Sequence, residues 1–407
     1  MGSLAGTHDE EVVNTTAPDP LPPSELPAST SSTISLLLAT PLERFQCWHI
    51  NSRSWRAPLS AAQYVSREAF LGRQLLTQDG NISYWILTDT SLSHGEDGAR
   101  PILASCETLR KDGYLANHGH LEKVVTHGIG SVFCRPEYRG RGYASRMMTE
   151  LAKRMETWQQ PKCSGASFSM LWSDIGTSFY DCHGWKAMPS AHISFPAASE
   201  EISAQLRDQP VQLDCSHIQE LHAQDLQIRV CPEATATLEA KIRMQSEQRP
   251  GVPQIAIQPN YEHMQWHHAR EEFQARALFD KEPYVKGVED TATGCALIWS
   301  RTWGESSQKN KLHVLHTMIP LRADGDVLGS IAALLLRAQL EAKTWDMGGG
   351  VEIWSPEPTV VEAAQSLAGK ENVPIKIRDK ESVCSLRYIV SRNEEVDWVA
   401  NEKYAWC

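Results

Sequence analysis

Residues 135–148 read RPEYRGRGYASRMM, with four arginines and two glycines between an apolar strand and an apolar helix. The strand, IGSVFCRP at 129–136, ends at its own proline, and from Tyr143 onward apolar residues recur at helical spacing. A helix N-terminus presents unpaired N–H groups and the positive end of the helix dipole, so it attracts anions. Gly140 and Gly142 allow the backbone to approach a phosphate closely, because a Cβ would clash there. The turn therefore predicts a site for a phosphate-bearing cofactor.

This arginine-glycine turn also admits three other interpretations. An ordinary strand-to-helix turn with solvated arginines is the simplest of them. A dinucleotide-binding fingerprint needs G-x-G-x-x-G, but Ser145 stands where the third glycine would be, and no series of βαβ units begins here. A P-loop needs Gly-Lys followed by Ser or Thr, and no such sequence follows the turn. From the residues alone, a phosphate-bearing cofactor and an ordinary turn both remain open.

Composition limits the class of protein. Of 407 residues, 41 % are apolar and 22 % are charged, which is typical of a globular chain with two or three domains. The net charge of −11 argues against a nucleic-acid partner, so the basic residues clustered at 135–154 indicate a local anion site. Ten cysteines without a C-x-x-C pair predict a reduced, cytoplasmic protein without a zinc site. No secretory signal and no run of about 18 apolar residues is present, so we expect no membrane partner.

The elements indicated along the chain divide it into three parts. Residues 1–32 are rich in Pro, Ser and Thr and predict a disordered tail. Residues 33–196 predict a mixed α/β domain with the order β-α-β-β-β-α-β-α-β and a polar, histidine-containing insert at 112–126. Residues 197–407 predict a second domain, whose later part has the order β-β-α-β-α-β.

The second half of the chain resembles the first in the order of its elements. The sequence LWS at 171–173 also matches IWS at 353–355, at the ends of corresponding strands. Two interpretations remain open from the residues: one α/β domain that is repeated, and two unrelated α/β domains.

Two motifs carry a resemblance to a known family. The sequence RGRGYA at 139–144 matches the R/Q-x-x-G-x-G/A signature of the GNAT superfamily of acetyl-CoA-dependent N-acetyltransferases, and FYDCHGW at 179–185 resembles its F-Y-x-x-x-G-[FW] segment. CETLRK at 106–111, SDIGTSFYDCHGWK at 173–186 and YAWC at 404–407 are similar to fungal lysine N6-acetyltransferases, which acetylate free lysine in lysine breakdown. The resemblance implies an α/β fold with mixed sheets: a GNAT-type N-terminal domain followed by a second, degenerate GNAT-like domain.

The resemblance also implies a cofactor and an activity. It implies an enzyme that uses acetyl-CoA as co-substrate, without a metal, and that transfers acetyl directly to the side-chain amine of free lysine within a ternary complex. Three alternatives stay open: another small amine of secondary metabolism, a lysine within a protein, and a non-catalytic CoA-binding regulatory protein. The implied cofactor-binding residues are the backbone of Arg139, Gly140, Arg141, Gly142, Tyr143 and Ala144 for the CoA pyrophosphate, and strand residues Val132, Phe133 and Cys134 for the pantetheine arm.

Acetyl transfer to an amine needs a base for the ammonium, a donor for the oxyanion and an acid for the thiolate. Tyr180 is the candidate acid, because the resemblance places the tyrosine of its segment beside the thioester sulfur. His127, just before the cofactor strand, and Glu107, on the neighbouring strand, are candidate bases. The resemblance to two-domain relatives makes the carboxylate of Cys407 a further candidate acceptor. Weaker candidates in the polar insert are His118, His120 and Glu122.

The matching turn of the second half, PLRADGDVLG at 320–329, keeps only part of the signature. Asp324 and Asp326 place negative charge where a phosphate would lie, so we expect no CoA there and a role in shaping the substrate pocket. His263 and His267 have a spacing that can bind a metal on a helix, but no convincing third ligand is nearby and we expect none.

Overall fold

The structure is a computed structural model that describes residues 17–160, 168–199, 216–388 and 395–406. Strands of the first half are β1 (Ile34–Leu38), β2 (Ile82–Asp89), β3 (Ala104–Asn117), β4 (His120–Phe133), β5 (Phe168–Ser173), β6 (Lys186–Ala187) and β7 (Ala191–Phe195). Its helices are α1 (Pro41–Trp55), α2 (Ala61–Leu71), α3 (Tyr143–Met155) and α4 (Ser178–Asp181). The mixed α/β order predicted for this part of the chain is confirmed.

The polar insert predicted at 112–126 is wrong, because this segment is the far half of a long hairpin. Strands β3 and β4 remain paired from Arg110↔His127 to Asn117↔His120. Two residues with positive φ, His118 at 49° and Gly119 at 76°, form the turn between them. The exposed polar residues lie mainly at the tip of the hairpin, at 118–123, whereas Tyr114, Ala116 and Val124 along its strands are buried.

The second half contains the elements that its sequence predicts, together with others that the sequence analysis did not assign. Its strands are β8 (Ile218–Leu221), β9 (Gln254–Ile257), β10 (Gly287–Asp290), β11 (Ala296–Thr302), β12 (Lys311–Met318), β13 (Val351–Trp354), β14 (Lys376–Ile377), β15 (Val383–Tyr388) and β16 (Asp397–Trp398). The longer helices are α5 (Cys231–Gln248), α6 (Tyr261–Phe279), α7 (Val327–Thr344) and α8 (Pro358–Ala368).

The two sheets have the same strand order and exchange one strand each. The first sheet runs β1-β2-β3-β4-β5-β15-β6, with β9 and β16 attached beside β3, and the second runs β8-β10-β11-β12-β13-β7-β14. Strand β5 in the first sheet thus corresponds to β13 in the second, which is where the LWS and IWS sequences lie. This correspondence favours a repeated domain over two unrelated ones.

The exchange affects the predicted boundary at residue 196. Strand β7 precedes that boundary but pairs with β13 and β14 of the second sheet, whereas β15 follows it and pairs with β5 of the first. Each sheet is therefore completed by a strand from the other half of the chain. The division of the chain at residue 196 stays a prediction, since sheet pairing crosses it in both directions.

Residues 17–32, which the sequence placed in a disordered tail, lie against the arginine-glycine turn and α3. The Tyr138 hydroxyl accepts from the Leu21 N–H at 2.6 Å, and the Tyr143 hydroxyl donates to the Pro27 carbonyl at 2.5 Å. Arg146 donates to the Ser29 carbonyl at 3.0 Å. The remainder of that predicted tail, 1–16, lies outside the described residues.

The core that positions the turn lies between α3 and the first sheet. Met147, Met148 and Leu151 are fully buried there against Trp85 and Leu171. Each such side chain contributes about 1.5–3 kcal/mol through burial. The opposite face of this sheet is covered by α1 and α2 at one end and by the second sheet at the other.

Candidate active site

A gap opens between β4 and β5 in the first sheet. These parallel strands pair at three positions, from His127↔Ser169 to Ile129↔Leu171, and their pairing then stops although both strands continue. A β-bulge on the other edge of β4 marks the same point, where Ser131 has a positive φ of 51°. A bulge increases the local twist and turns the strand away from its former neighbour. Val132 and Phe133, at the end of β4, and Cys134 beyond it therefore lie along the open side of the gap.

The arginine-glycine turn follows directly and ends at the start of α3. Gly140 and Gly142 have φ values of 77° and 86°, a conformation that side chains with a Cβ rarely adopt. A Cβ on Gly140 would meet no atom within 4 Å, whereas one on Gly142 would lie 2.8 Å from the Ser29 hydroxyl. The backbone conformation, more than a protein contact, therefore requires glycine at residue 140.

Consecutive N–H groups in the turn are free to bind an anion. Within the described part of the chain, the N–H groups of residues 140–145 have no hydrogen-bond acceptor. Tyr143 and Ala144 begin α3, and the Gly142 N-cap offers no side-chain acceptor to them. Such a row of unpartnered donors at a helix N-terminus fits a phosphate or pyrophosphate.

The four arginines of the opening stretch divide into two pairs. Arg135 and Arg146 donate to carbonyls of the N-terminal segment, to Pro18 at 2.6 Å and Ser29 at 3.0 Å respectively. Arg139 and Arg141 form no ion pair with any described residue, and the Arg139 Nε donates to the Cys134 carbonyl at 3.2 Å. One pair therefore fixes the chain, and the other leaves two positive charges beside the free N–H groups.

Tyr180 lies on the α3 side of the gap. It is 7 % exposed and packs with Ile129 and Leu171, the last residues that pair before β4 and β5 separate. Burial raises the pKa of Tyr180 well above its usual value, and the thiol of Cys106 and the carboxylate of Asp174 add to the effect. The phenol is therefore neutral across the physiological range, the form in which it can donate a proton.

Glu107 lies on the opposite side of the gap. It stands on β3 beside Gly130 of β4 and Tyr84 of β2, at the bulge. Burial raises the pKa of Glu107 to about 8, the charge of Glu68 adds to the rise, and Ser131 partly opposes it. This carboxyl is therefore mainly protonated at neutral pH, and it ionises within reach of physiological conditions.

His127 is not brought next to Glu107. Because side chains alternate along β4, His127 shares the α3 face with Ile129, and Glu107 opens onto the other face. Its Nε2 lies 3.1 Å from the Gln159 Oε1, it is 1 % exposed, and burial lowers its pKa to about 4. The geometry therefore favours Glu107 over His127 as a base.

The weaker acid-base candidates, and the two histidines for which no metal is expected, lie elsewhere. His118, His120 and Glu122 are exposed at the hairpin tip, about 26 to 36 Å from Glu107 at about 3.3 Å per residue. His263 and His267 are buried, and burial holds the pKa of both well below the usual value. No group of three His, Cys, Asp or Glu side chains in the described ranges could hold a metal ion. Cys407, the remaining candidate, lies outside the described residues.

In the second sheet, the equivalent gap is occupied by the chain itself. Strands β12 and β13 pair at three positions and then diverge, as β4 and β5 do. There the Glu402 carboxylate accepts from the Thr317 N–H at 3.1 Å and contacts the His316 ring. A cavity of about 820 Å³ adjoins this place, away from Tyr180 and Glu107. In the turn before α7, the Asp326 side chain accepts from the Gly329 N–H at 3.0 Å and so takes a donor that a phosphate would need.

Sequence reasoning missed a group of side chains from two helices that lies near Glu107. Tyr64, Arg67 and Glu68 come from α2, and Arg270 comes from α6. None of them belongs to a recognisable motif, and the two helices are far apart in sequence.

No helix in the described part of the chain is long and apolar enough to cross a membrane.

Comparisons with known proteins agree with this geometry. A family model of the acetyltransferase (GNAT) domain matches residues 115–188, and one of the LYC1 GNAT-like C-terminal domain matches residues 192–407, more than half of the chain. A lysine acetyltransferase of Yarrowia lipolytica is 32 % identical over 145 residues, which span 32 % of this chain and only 35 % of that protein.

Other relatives cover more of the chain at lower identity. An uncharacterized protein of Saccharomyces cerevisiae is 23 % identical over 393 residues, 88 % of this chain and 93 % of its own length. A GCN5-related N-acetyltransferase from Kribbella flavida, known as a crystal structure, aligns with a TM-score of 0.48 and 16 % identity over 88 % of this chain and 71 % of its own. Acetyltransferases of the GNAT fold use acetyl-CoA. Both halves match a GNAT model, and the chain therefore belongs to the GNAT acetyltransferases with a LYC1 GNAT-like C-terminal domain.

Proposed function

We propose that this acetyltransferase moves the acetyl group of acetyl-CoA directly to the side-chain amine of free lysine. The observation that carries the proposal is the placement of Glu107 and Tyr180 on opposite sides of the gap between β4 and β5. An acid and a base on either side of one opening suit a direct transfer, in which the amine loses a proton and the thiolate gains one. The lysine acetyltransferase of Yarrowia lipolytica supports the choice of amine.

The cofactor would be held by the turn and the open strand edge. The free N–H groups of residues 140–145 suit the CoA pyrophosphate, with Arg139 and Arg141 supplying charge. The edge of β4 at Val132 and Phe133, with Cys134 beyond it, suits pairing with the amide groups of the pantetheine arm. Bound acetyl-CoA supplies an activated thioester, and the protein supplies its orientation.

The reaction then assigns one proton to each side chain. Ionised Glu107 accepts a proton from the lysine ammonium, and the neutral amine attacks the acetyl carbonyl carbon. Backbone N–H groups of β4 near Cys134 stabilise the resulting oxyanion. The carbon–sulfur bond breaks as the amide forms, Tyr180 donates its proton to the departing thiolate, and the second proton that the nitrogen loses restores the neutral phenol. We assign no catalytic role to His127, because burial keeps its ring neutral and weakly basic.

The C-terminal segment approaches the same region. The Ala405 carbonyl accepts from Lys111 Nζ of β3 at 2.8 Å, and Trp406 packs with Leu109, two residues from Glu107. The charge of Asp174 also acts on both Lys403 and Tyr180. We therefore keep the proposal that the carboxylate of Cys407 enters the site as a second proton acceptor.

The second domain shapes the site and does not bind CoA in this proposal, because Glu402 and Asp326 occupy its equivalent positions. The setting we propose is lysine breakdown in a fungal cytoplasm, on the strength of the yeast relatives. A different small amine of secondary metabolism is the runner-up substrate.

The experiment is CoA release from acetyl-CoA with free lysine, ornithine, a lysine-containing peptide and a panel of small amines. We expect saturable turnover with lysine and much weaker turnover with the others. Preferred turnover of the peptide or of another amine would replace the substrate while leaving acetyl transfer intact. No turnover with any amine would overturn the proposed function.

A further inference from the structure

Two arginines from different helices meet around Tyr64 and Glu68, and one of them, Arg67, also acts on Glu107. Arg67 lies on α2 and Arg270 on α6, and these helices pack together with the rings of Phe70 and Phe273 5.8 Å apart. The Arg67 guanidinium stacks on the Tyr64 ring at 4.7 Å. Tyr64 packs with Tyr84, the cross-strand neighbour of Glu107, and the charge of Arg67 acts on both Glu107 and Arg270.

Arg67 is buried with one donor group unused. Its side chain is 4 % exposed, and its Nε and Nη2 donate to the Glu68 Oε1 at 2.8 and 2.5 Å. Its Nη1 is also buried, yet no described residue accepts a hydrogen bond from it. Leaving a buried donor unsatisfied is costly, so proteins rarely do so without a ligand or ordered water.

Arg270 has no acidic partner among the described residues. It is half-buried and packs on the ring of Trp406, with 5.4 Å between guanidinium and ring centre. Burial and the like charge of Arg67 lower the pKa of Arg270 to about 10, so it remains a cation at neutral pH. Two guanidiniums therefore share one carboxylate, Glu68, whose Oε1 already accepts from the Nε and Nη2 of Arg67.

The unused Nη1 of Arg67 and the cationic guanidinium of Arg270, which forms no ion pair with a described residue, lie in a largely buried place and favour an anionic group on the substrate. A carboxylate is the natural match, because its two oxygens fit the planar fork of a guanidinium. Glu107, the proposed base for the amine, lies near the guanidinium of Arg67. One site thus offers an acceptor for a side-chain ammonium and donors for a carboxylate, the two ends of a free amino acid.

We propose that Arg67 and Arg270 form a carboxylate subsite that binds the α-carboxylate of the substrate, so that the enzyme selects free amino acids bearing a side-chain amine. The inference rests on the proposed function and assigns its substrate class to named residues. It excludes plain diamines, and lysines within a polypeptide, as good substrates, because neither presents an α-carboxylate to the two guanidiniums.

The experiment compares kcat/KM for lysine, lysinamide and cadaverine, which is lysine without its carboxylate. It uses the wild type, Arg67→Met, Arg270→Met and a control, Arg73→Met, whose arginine is exposed just beyond α2. Loss of a charge-assisted hydrogen bond costs roughly 1.5–3 kcal/mol, or about 10- to 150-fold. We expect the two variants to lose that factor with lysine and to change less than threefold with cadaverine, while Arg73→Met matches the wild type with both.

Because Arg67→Met removes a buried side chain, two further variants are tested, Arg67→Lys and Arg270→Gln. Arg270 forms no ion pair with a described residue that its substitution would break. Thermal unfolding checks that each variant is folded. Parallel losses with lysine and cadaverine, or no loss with lysine, would overturn the subsite. If the wild type acetylates no amine, the proposed function fails, and calorimetric binding of lysine against cadaverine still tests the subsite. Equal binding of the two ligands would overturn it.

Discussion

Replacing Glu107 by glutamine tests whether this carboxyl deprotonates the substrate. Burial raises the pKa of Glu107 to about 8, so the wild-type base is ionised only above that pH. The lysine side chain has a pKa of about 10.4 and is an ammonium below it. If the enzyme binds the ammonium and Glu107 takes its proton, kcat/KM rises tenfold per pH unit below about 8. It then levels off between about 8 and 10.

The glutamine variant can use only amine that is already neutral in solution. At pH 8 this is roughly 0.4 % of the lysine side chains, from a pKa of about 10.4. We therefore expect Glu107→Gln to lose about 10²-fold in kcat/KM at pH 8, a factor within the usual range for a general base. Its profile should rise tenfold per pH unit through 8 without a break and approach the wild type near pH 10.

The assay is initial-rate CoA release with lysine from pH 6 to 10, at saturating acetyl-CoA. Glu122→Gln is the matched control, because Glu122 lies on the same sheet but is exposed at the hairpin tip. It should keep the wild-type profile. A break near pH 8 that persists in Glu107→Gln, or two parallel profiles, would refute the role of Glu107.

The raised pKa of Glu107 also makes the free energy of unfolding depend on pH. The pKa of Glu107 is higher in the folded protein than its value of 4.5 in the unfolded chain, so the neutral carboxyl stabilises the fold. This stabilisation is fully present below pH 4.5 and is lost as the pH rises through 8. A rise from 4.5 to about 8 corresponds to at most about 5 kcal/mol, at about 1.4 kcal/mol per unit. Urea unfolding should thus show the wild type losing stability against Glu107→Gln between pH 5 and 9, and an unchanged difference would contradict the shift.

Three further substitutions or deletions test the rest of the site. Gly142→Glu should abolish acetyl-CoA binding measured by calorimetry, because it forces a side chain into a φ of 86° and adds negative charge. The control Gly98→Glu, in an exposed loop at a φ of 79°, should bind acetyl-CoA normally. Normal binding by both variants would reject the pyrophosphate site. Tyr180→Phe should lower turnover at least tenfold and change the acetyl-CoA Kd less than twofold, and an unchanged rate would remove its role as acid. Deleting Cys407 alone, with the buried Tyr404 left in place, moves the terminal carboxylate to Trp406 and should lower kcat about tenfold without changing the unfolding temperature; full activity would show that a carboxylate at residue 407 is not required.

The sequence predicted those parts of the site that depend on local structure. The glycines at 140 and 142 are required by positive φ, and the run that follows has helical spacing, so the turn and the start of α3 could be placed from the residues alone. The correspondence of 171–173 with 353–355 likewise reflects equivalent strands of the two sheets. Local signals of this kind do not depend on where the distant chain lies.

What the sequence could not predict depends on contacts between distant segments. The exchange of β7 and β15 leaves the hydrophobic pattern of each strand unchanged, because either sheet buries the same faces. Arg67 and Arg270 are polar residues on separate helices, and only the packing of α2 on α6 brings them together around Tyr64 and Glu68. His127 and Glu107 could not be ranked as bases before their faces and burial were known.

The central claim is that this chain acetylates the side-chain nitrogen of free lysine, and identification of the product tests it most directly. The enzyme is incubated with acetyl-CoA and lysine labelled with ¹⁵N at the side chain, and CoA release is measured together with the NMR spectrum of the product. We predict that the product is N6-acetyllysine, formed in an amount equal to the CoA released. Acetylation at the α-nitrogen, or CoA release without acetyllysine, would contradict it.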